Sequence, residues 1–283
     1  MIEREVELPG GRFVVLEHGP PAGPVVLCVH GFPDIPQTWG PLAERLAAGG
    51  YRVVAPYLRG YAPSTLAGPF HLRRIAQDLL ELADALSPRS PVLLVGHDWG
   101  AAAAFVALAI APSRFARAVT LAVPHPLAFR AGVARHPRQL ARSWYMAFFQ
   151  LPAVPEAALR GHDFALVERL WRAWSPGWRP PVDHLARVKR CLAESLPGPV
   201  DYYRALLASA RDTALARAAA RLEVPVLHVH GRTDGCVGVE LAREQARYFG
   251  PRFRWVEVDG VGHFLHLEAP DRVGALVEEG LRA

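Results

Sequence analysis

Three apolar runs constrain this chain's fold more than any other feature. VVLCVHG (25–31), YRVVAPYLRG (51–60) and PVLLVGH (91–97) are continuously apolar, the mark of strands covered on both faces in a parallel sheet. Helical patterns separate them. The clearest is HLRRIAQDLLELADAL (71–86), whose apolar residues recur at three- and four-residue spacing. ARAVTLAVPHP, VPVLHVHG and FRWVEVDG repeat the strand signature later, and EREVEL and RFVVLEHG flank Pro9-Gly10-Gly11 as two more strands. Strands alternating with helices predict an α/β fold: a mostly parallel sheet with right-handed crossovers, flanked by helices.

The alternation fails between Leu127 and Thr213. That stretch has no buried-strand run, many prolines, and four of the seven tryptophans, Trp144, Trp171, Trp174 and Trp178. It reads as a helical cap (127–213) inserted between two parts of one core (1–126 and 214–283). Sites in open α/β folds lie at the carboxyl edge of the sheet, where such a cap would roof a pocket.

With 283 residues, 51% hydrophobic and 21% charged, the chain can bury a sizeable core. The net charge of +5 comes from scattered arginines, Lys189 being the single lysine. No basic run suggests a nucleic-acid partner. Cys28, Cys191 and Cys236 have no metal-type or CxxC spacing and read as reduced thiols, one or two of them buried as small hydrophobes. No HExxH occurs, and no metal or other cofactor is expected. MIEREVELPGG has no apolar leader segment, and Ala101–Ala111 is about half a membrane span. A cytoplasmic protein without membrane attachment, monomer or homodimer, is the expectation.

LLVGHDWGAAAAF (93–105) carries the chemistry. A strand, a Gly-flanked turn and a helix commonly present a serine as G-x-S-x-G, but this chain has no such motif and places Asp98 at the centre. Taken alone, Asp98 reads equally well as a helix cap. Other motifs stand around it: His30-Gly31-Phe32-Pro33 upstream, Asp234 in HGRTDG after a strand, and His263 in VDGVGHF. AVPHP, after the preceding strand, offers no competing carboxylate. His97, His125 and His230 read as structural.

In this combination the sequence resembles the α/β-hydrolases, and within them the epoxide hydrolases. The resemblance covers essentially the whole chain. It implies Asp98 as nucleophile, Asp234 as acid and His263 as base, in the chain order expected for the fold. It also implies a cis Pro33 and an oxyanion hole from the Phe32 and Trp99 N–H groups. The chemistry agrees. A carboxylate is ionised at neutral pH and attacks a saturated carbon without a base, forming an ester. Hydrolysing that ester needs water activated by a histidine held by an acid.

SWYMAFFQLP and PVDYYRALL resemble the cap segments that bear the oxirane tyrosines, which implies Tyr145 and Tyr203 as donors to the ring oxygen, with Tyr202 open as the alternative to Tyr203. Trp99, Phe32, Trp144 and Phe149 are the expected substrate-contacting aromatics. A small apolar epoxide and water are the expected partners, and a vicinal diol the product. The alternatives are a haloalkane or haloacid dehalogenase-like hydrolase using the same Asp nucleophile, or a non-catalytic ligand-binding relative. Against dehalogenation, the chain has no asparagine for a Trp–Asn halide clamp, and tryptophan rather than arginine follows Asp98.

Overall fold

The computed structural model describes residues 1–282, with Leu207 and Ala214 described by backbone alone. Its eight strands form one sheet: β1 (Ile2–Leu8), β2 (Gly11–His18), β3 (Val25–Val29), β4 (Arg52–Pro56), β5 (Val92–His97), β6 (Phe115–Leu121), β7 (Val226–Gly231) and β8 (Phe253–Val258). Their order is β1-β2-β4-β3-β5-β6-β7-β8. β2 runs antiparallel to β1 and β4, and all other pairs are parallel. β3, β5 and β7 are buried at every residue, the two histidines of β7 included.

In the first part of the core, α1 (Gly40–Ala48), α2 (Leu72–Leu86) and α3 (Trp99–Ile110) flank the sheet. Four consecutive alanines, Ala101–Ala104, let α3 lie close against β5 and β6, and its side chains are buried from Trp99 to Leu108. A short side chain removes little rotamer freedom and favours helix, so the same residues serve propensity and packing.

Between β6 and β7 the described residues hold helices and no strand: α4 (Pro126–Arg135), α5 (Pro137–Arg142), α6 (Trp144–Phe148), α7 (Val154–Trp174), α8 (Val182–Ser195), α9 (Gly198–Arg204), α10 (Leu206–Ala210) and α11 (Thr213–Ala218). The helical stretch thus runs a few residues past Thr213. α12 (Val239–Arg243), α13 (Leu265–Glu268) and α14 (Pro270–Arg282) complete the chain, α14 packing on β6 and β7 and against α1. No described helix is long and apolar enough to cross a membrane.

The end of α7 fastens this insertion to the sheet's carboxyl edge. The Trp171 ring stacks on Phe264 with centroids 3.7 Å apart, and its indole N–H donates to the Pro33 carbonyl at 3.1 Å.

Candidate active site

The turn after β5 is built by exclusion. A Cβ on Gly96 would lie 2.5 Å from the Gly100 carbonyl oxygen, and one on Gly100 would lie 2.1 Å from that of Val29. Only glycine fits at either place. The turn holds Asp98 at φ 53°, ψ −119°, a backbone conformation that L-residues rarely adopt and that costs of order 1–3 kcal/mol. Asp98 stands at the N-cap position of α3, yet its side chain makes no capping bond. Its Oδ1 instead accepts the Phe32 N–H at 2.8 Å across the Phe32–Pro33 turn, whose peptide is cis.

His263, fully buried on the loop after β8, meets both carboxylates. Its Nδ1 lies 2.9 Å from Asp234 Oδ2 and its Nε2 3.6 Å from Asp98 Oδ2. Asp234 is fixed in turn, because its Oδ1 accepts the N–H groups of Cys236 and Val237 at 2.7 and 2.8 Å. Burial alone would push the imidazole down, but the charge and hydrogen bond of Asp234, joined by those of Asp98, raise it to about 10. Burial likewise works against the Asp98 carboxylate. The His263 hydrogen bond and charge, His97 and the Phe32 N–H together outweigh it and hold the carboxyl below its ordinary value. The resting pair is carboxylate and imidazolium.

Asp98 opens onto a cavity of about 420 Å³ whose wall is overwhelmingly apolar. Trp99, Tyr145 and Tyr203 line it, as do Phe105 and Val106 from α3 and residues of α4, α10 and α11. A second hollow of about 670 Å³ beside α7 and α8, rimmed by charged side chains, holds none of these residues.

The rings of Tyr145 and Tyr203 meet edge to face at 5.6 Å. The Tyr203 hydroxyl is buried without a hydrogen-bond partner among the described residues, and the Tyr145 hydroxyl meets only the Cys236 sulfur, at 3.3 Å. Burial, with the nearby Asp98 charge adding to it, raises both phenols well above their ordinary value. Both are protonated donors at neutral pH. Tyr202 differs. Its hydroxyl donates to the Arg59 carbonyl at 2.7 Å, where Arg59 is itself locked to Asp78 at 2.6 Å in a buried ion pair. Of the two adjacent tyrosines, Tyr203 faces the cavity and Tyr202 is a structural strut.

The expected aromatic contacts divide. Trp99 lines the cavity, whereas Phe32 and Phe149 pack edge to face behind it, 5.5 Å apart. Trp144 does not join them: it is 44% exposed and absent from the cavity wall. The short helix α6 turns Tyr145 inward, which sends its neighbour out. His97, His125 and His230 are buried and hydrogen-bonded to the backbone.

Cys236 stands at the site although its spacing from the other cysteines marks it only as a reduced thiol. The structure puts its sulfur beside Tyr145, Asp98 and His263. The available signal was its position two residues after Asp234, on the turn that shapes the acid.

Residues 24–270 match the alpha/beta hydrolase fold family. Epoxide hydrolase A of Mycobacterium tuberculosis is 31% identical, covering 99% of this chain and 97% of its own length. The epoxide hydrolase of Caballeronia sordidicola is also 31% identical, covering 99% of this chain and 93% of its own. The crystal structure of epoxide hydrolase A from Mycobacterium thermoresistibile superposes with a TM-score of 0.86 at 25% identity, covering 100% of this chain and 98% of that one. The sheet order, the capped carboxyl edge, the Asp98–His263–Asp234 arrangement and these relatives lead to one assignment: the chain belongs to the α/β-hydrolase fold, in the epoxide hydrolase family.

Proposed function

We propose that this protein hydrolyses an apolar epoxide to a vicinal diol through an ester on Asp98. The observation that carries this reading is the pair of buried phenols, Tyr145 and Tyr203, on the wall of the cavity that Asp98 enters, neither bonded to another oxygen or nitrogen among the described residues. An opening epoxide develops an alkoxide, which needs a proton donor. A departing halide does not.

With the Phe32 N–H on Oδ1, the free oxygen Oδ2 attacks a ring carbon while the phenols protonate the ring oxygen. Esterification removes the Asp98 charge, one of the two that hold the His263 proton. The proton that the imidazolium gives up balances the one delivered to the alkoxide. Neutral His263, held by Asp234, then deprotonates water, which attacks the ester carbonyl. Oδ1 becomes the oxyanion, already facing the Phe32 N–H and near the start of α3, where the Trp99 N–H is the second donor. Expulsion of the diol restores carboxylate and imidazolium.

A single turnover in heavy-oxygen water tests the ester route. The label is expected in Asp98, with the diol unlabelled, because the diol takes its new oxygen from the enzyme. Label in the first-turnover diol refutes the ester. A parallel panel of epoxides and haloalkanes decides the electrophile, and halide release in preference to ring opening moves the protein to dehalogenation.

A further inference from the structure

The Cys236 sulfur, His263 Nε2 and an Asp98 carboxylate oxygen all lie within 4.8 Å of one another. We propose that this cluster is an inhibitory site for a thiophilic divalent cation, Zn²⁺ or Cd²⁺, bound by the Asp98 carboxylate, the Cys236 thiolate and the His263 imidazole. That such an ion inhibits rests on the functional reading above; that it binds does not.

The ligand set is the mixture of oxygen, sulfur and imidazole nitrogen that zinc takes. Bonds of about 2.0–2.3 Å in a tetrahedron put neighbouring ligand atoms about 3.3–3.7 Å apart, and His263 Nε2 stands 3.6 Å from Asp98 Oδ2. Nε2 is fully buried, and beyond Asp98 Oδ2 at 3.6 Å it has no polar partner among the described residues. Each ligand is also held from behind, as metal ligands commonly are. Asp234 takes His263 Nδ1, the Phe32 N–H takes Asp98 Oδ1, and Tyr145 meets the Cys236 sulfur. One carboxylate and one thiolate neutralise a divalent ion, and Asp234 stays ionised throughout, so exchanging two protons for the ion leaves the net buried charge unchanged, and the cavity beside Asp98 gives a way in. Burial keeps the thiol protonated in the resting protein. The ion therefore displaces the Cys236 proton and that on His263, and both pass to the buffer.

The test is calorimetric titration of the purified full chain with Zn²⁺ in the absence of substrate, paired with absorption spectra of the Co²⁺-loaded protein. One ion per chain and a thiolate-to-cobalt charge-transfer band are expected. Cys236→Ser and Cys236→Ala should lose the band and weaken Zn²⁺ binding by more than the roughly 10–100-fold typical of losing an outer partner. In turnover assays Zn²⁺ should compete with epoxide and a chelator should restore the rate. No saturable binding, a Co²⁺ spectrum without the thiolate band, or undiminished binding in Cys236→Ser overturns the proposal. The last two results would place the ion elsewhere, as at the sulfur-free cluster of Asp34, His97 and His266. Because the band is read on the unmutated chain, a variant that fails to fold leaves the test intact. Binding with the band but without epoxide turnover upholds the site and refutes only the functional reading.

Discussion

The backbone N–H of His263 donates to the carbonyl of Trp174 at 3.1 Å, and the Gly235 N–H reaches the same oxygen at 3.0 Å. The loops that carry Asp234 and His263 both hang from the last residue of α7, so the cap holds these two residues in place as well as covering them. Ser175, the next residue, extends the clasp: its hydroxyl donates to Glu268 at 2.5 Å and accepts the Phe264 N–H at 3.1 Å.

Ser175→Ala therefore leaves a half-buried carboxylate and a buried N–H each short of a partner. The expected cost is about 1–3 kcal/mol, read by denaturant unfolding, with a fall in kcat as the His263 loop loosens. Unchanged stability and turnover would show that the clasp carries no strain from the cap to the base.

Gly100→Ala should abolish folding or cost about 3 kcal/mol or more, because the new methyl meets the Val29 backbone rather than a side chain that can swing away. Soluble yield and thermal unfolding measure this. A variant as stable as the parent would mean that the turn has room the geometry denies it.

How legible all this was depended on where each residue stands. β3, β5 and β7 were plain because strands buried on both faces are predominantly apolar, even with the histidines that β5 and β7 carry. Asp98 and Asp234 were plain because each follows such a strand at a glycine-marked turn, and His263 because it follows β8 at another glycine-marked turn. Within the cap the periodic signal is weak. Trp144 and Tyr145 are neighbours on one short helix, and packing against Trp174 and Phe149 decides which one points inward. The choice between Tyr202 and Tyr203 rests on the Arg59 carbonyl, 143 positions away in the chain. No local pattern encodes such a partner.

The charge coupling at His263 sets the pH dependence, studied in chelator-treated buffer. With its value raised to about 10 beside ionised Asp98, the imidazole is protonated through neutral pH in the resting enzyme. On the proposed route esterification would remove the Asp98 contribution, so the base form would grow only in the intermediate. Ester hydrolysis should rise with pH and then level off, and quenched-flow mass spectrometry should find more Asp98 ester at low pH. An ester fraction that grows with pH would contradict this sign.

His263→Gln should separate the half-reactions. Asp98 keeps its Phe32 N–H partner and its opening to the cavity, so alkylation should proceed, and the protein should gain the mass of one substrate and stop. Parental steady-state turnover in this variant would remove His263 from the mechanism.

The last expectation concerns the two phenols and decides whether the electrophile is an epoxide. Tyr145 and Tyr203 are both buried, both protonated at neutral pH and both on the cavity wall. Each single Tyr→Phe change leaves one donor and should slow Asp98 alkylation while leaving measurable activity. Removing both leaves the developing alkoxide without a donor, and a positioned general acid is worth roughly 10²–10⁴-fold. The double loss should exceed the product of the single effects, as for groups that act as a unit. Stability should change little, because the Tyr203 hydroxyl has no partner to lose and the Tyr145 hydroxyl loses only a contact with sulfur. Tyr202→Phe is the contrasting control: it breaks the bond to the Arg59 carbonyl and should lower stability by about 1–3 kcal/mol while sparing the alkylation step. The measurement is pre-steady-state alkylation by an aryl epoxide across these variants, with halide release from a haloalkane followed alongside. A double variant that opens epoxides at the parental rate would reduce both tyrosines to packing and withdraw the main support for an epoxide substrate.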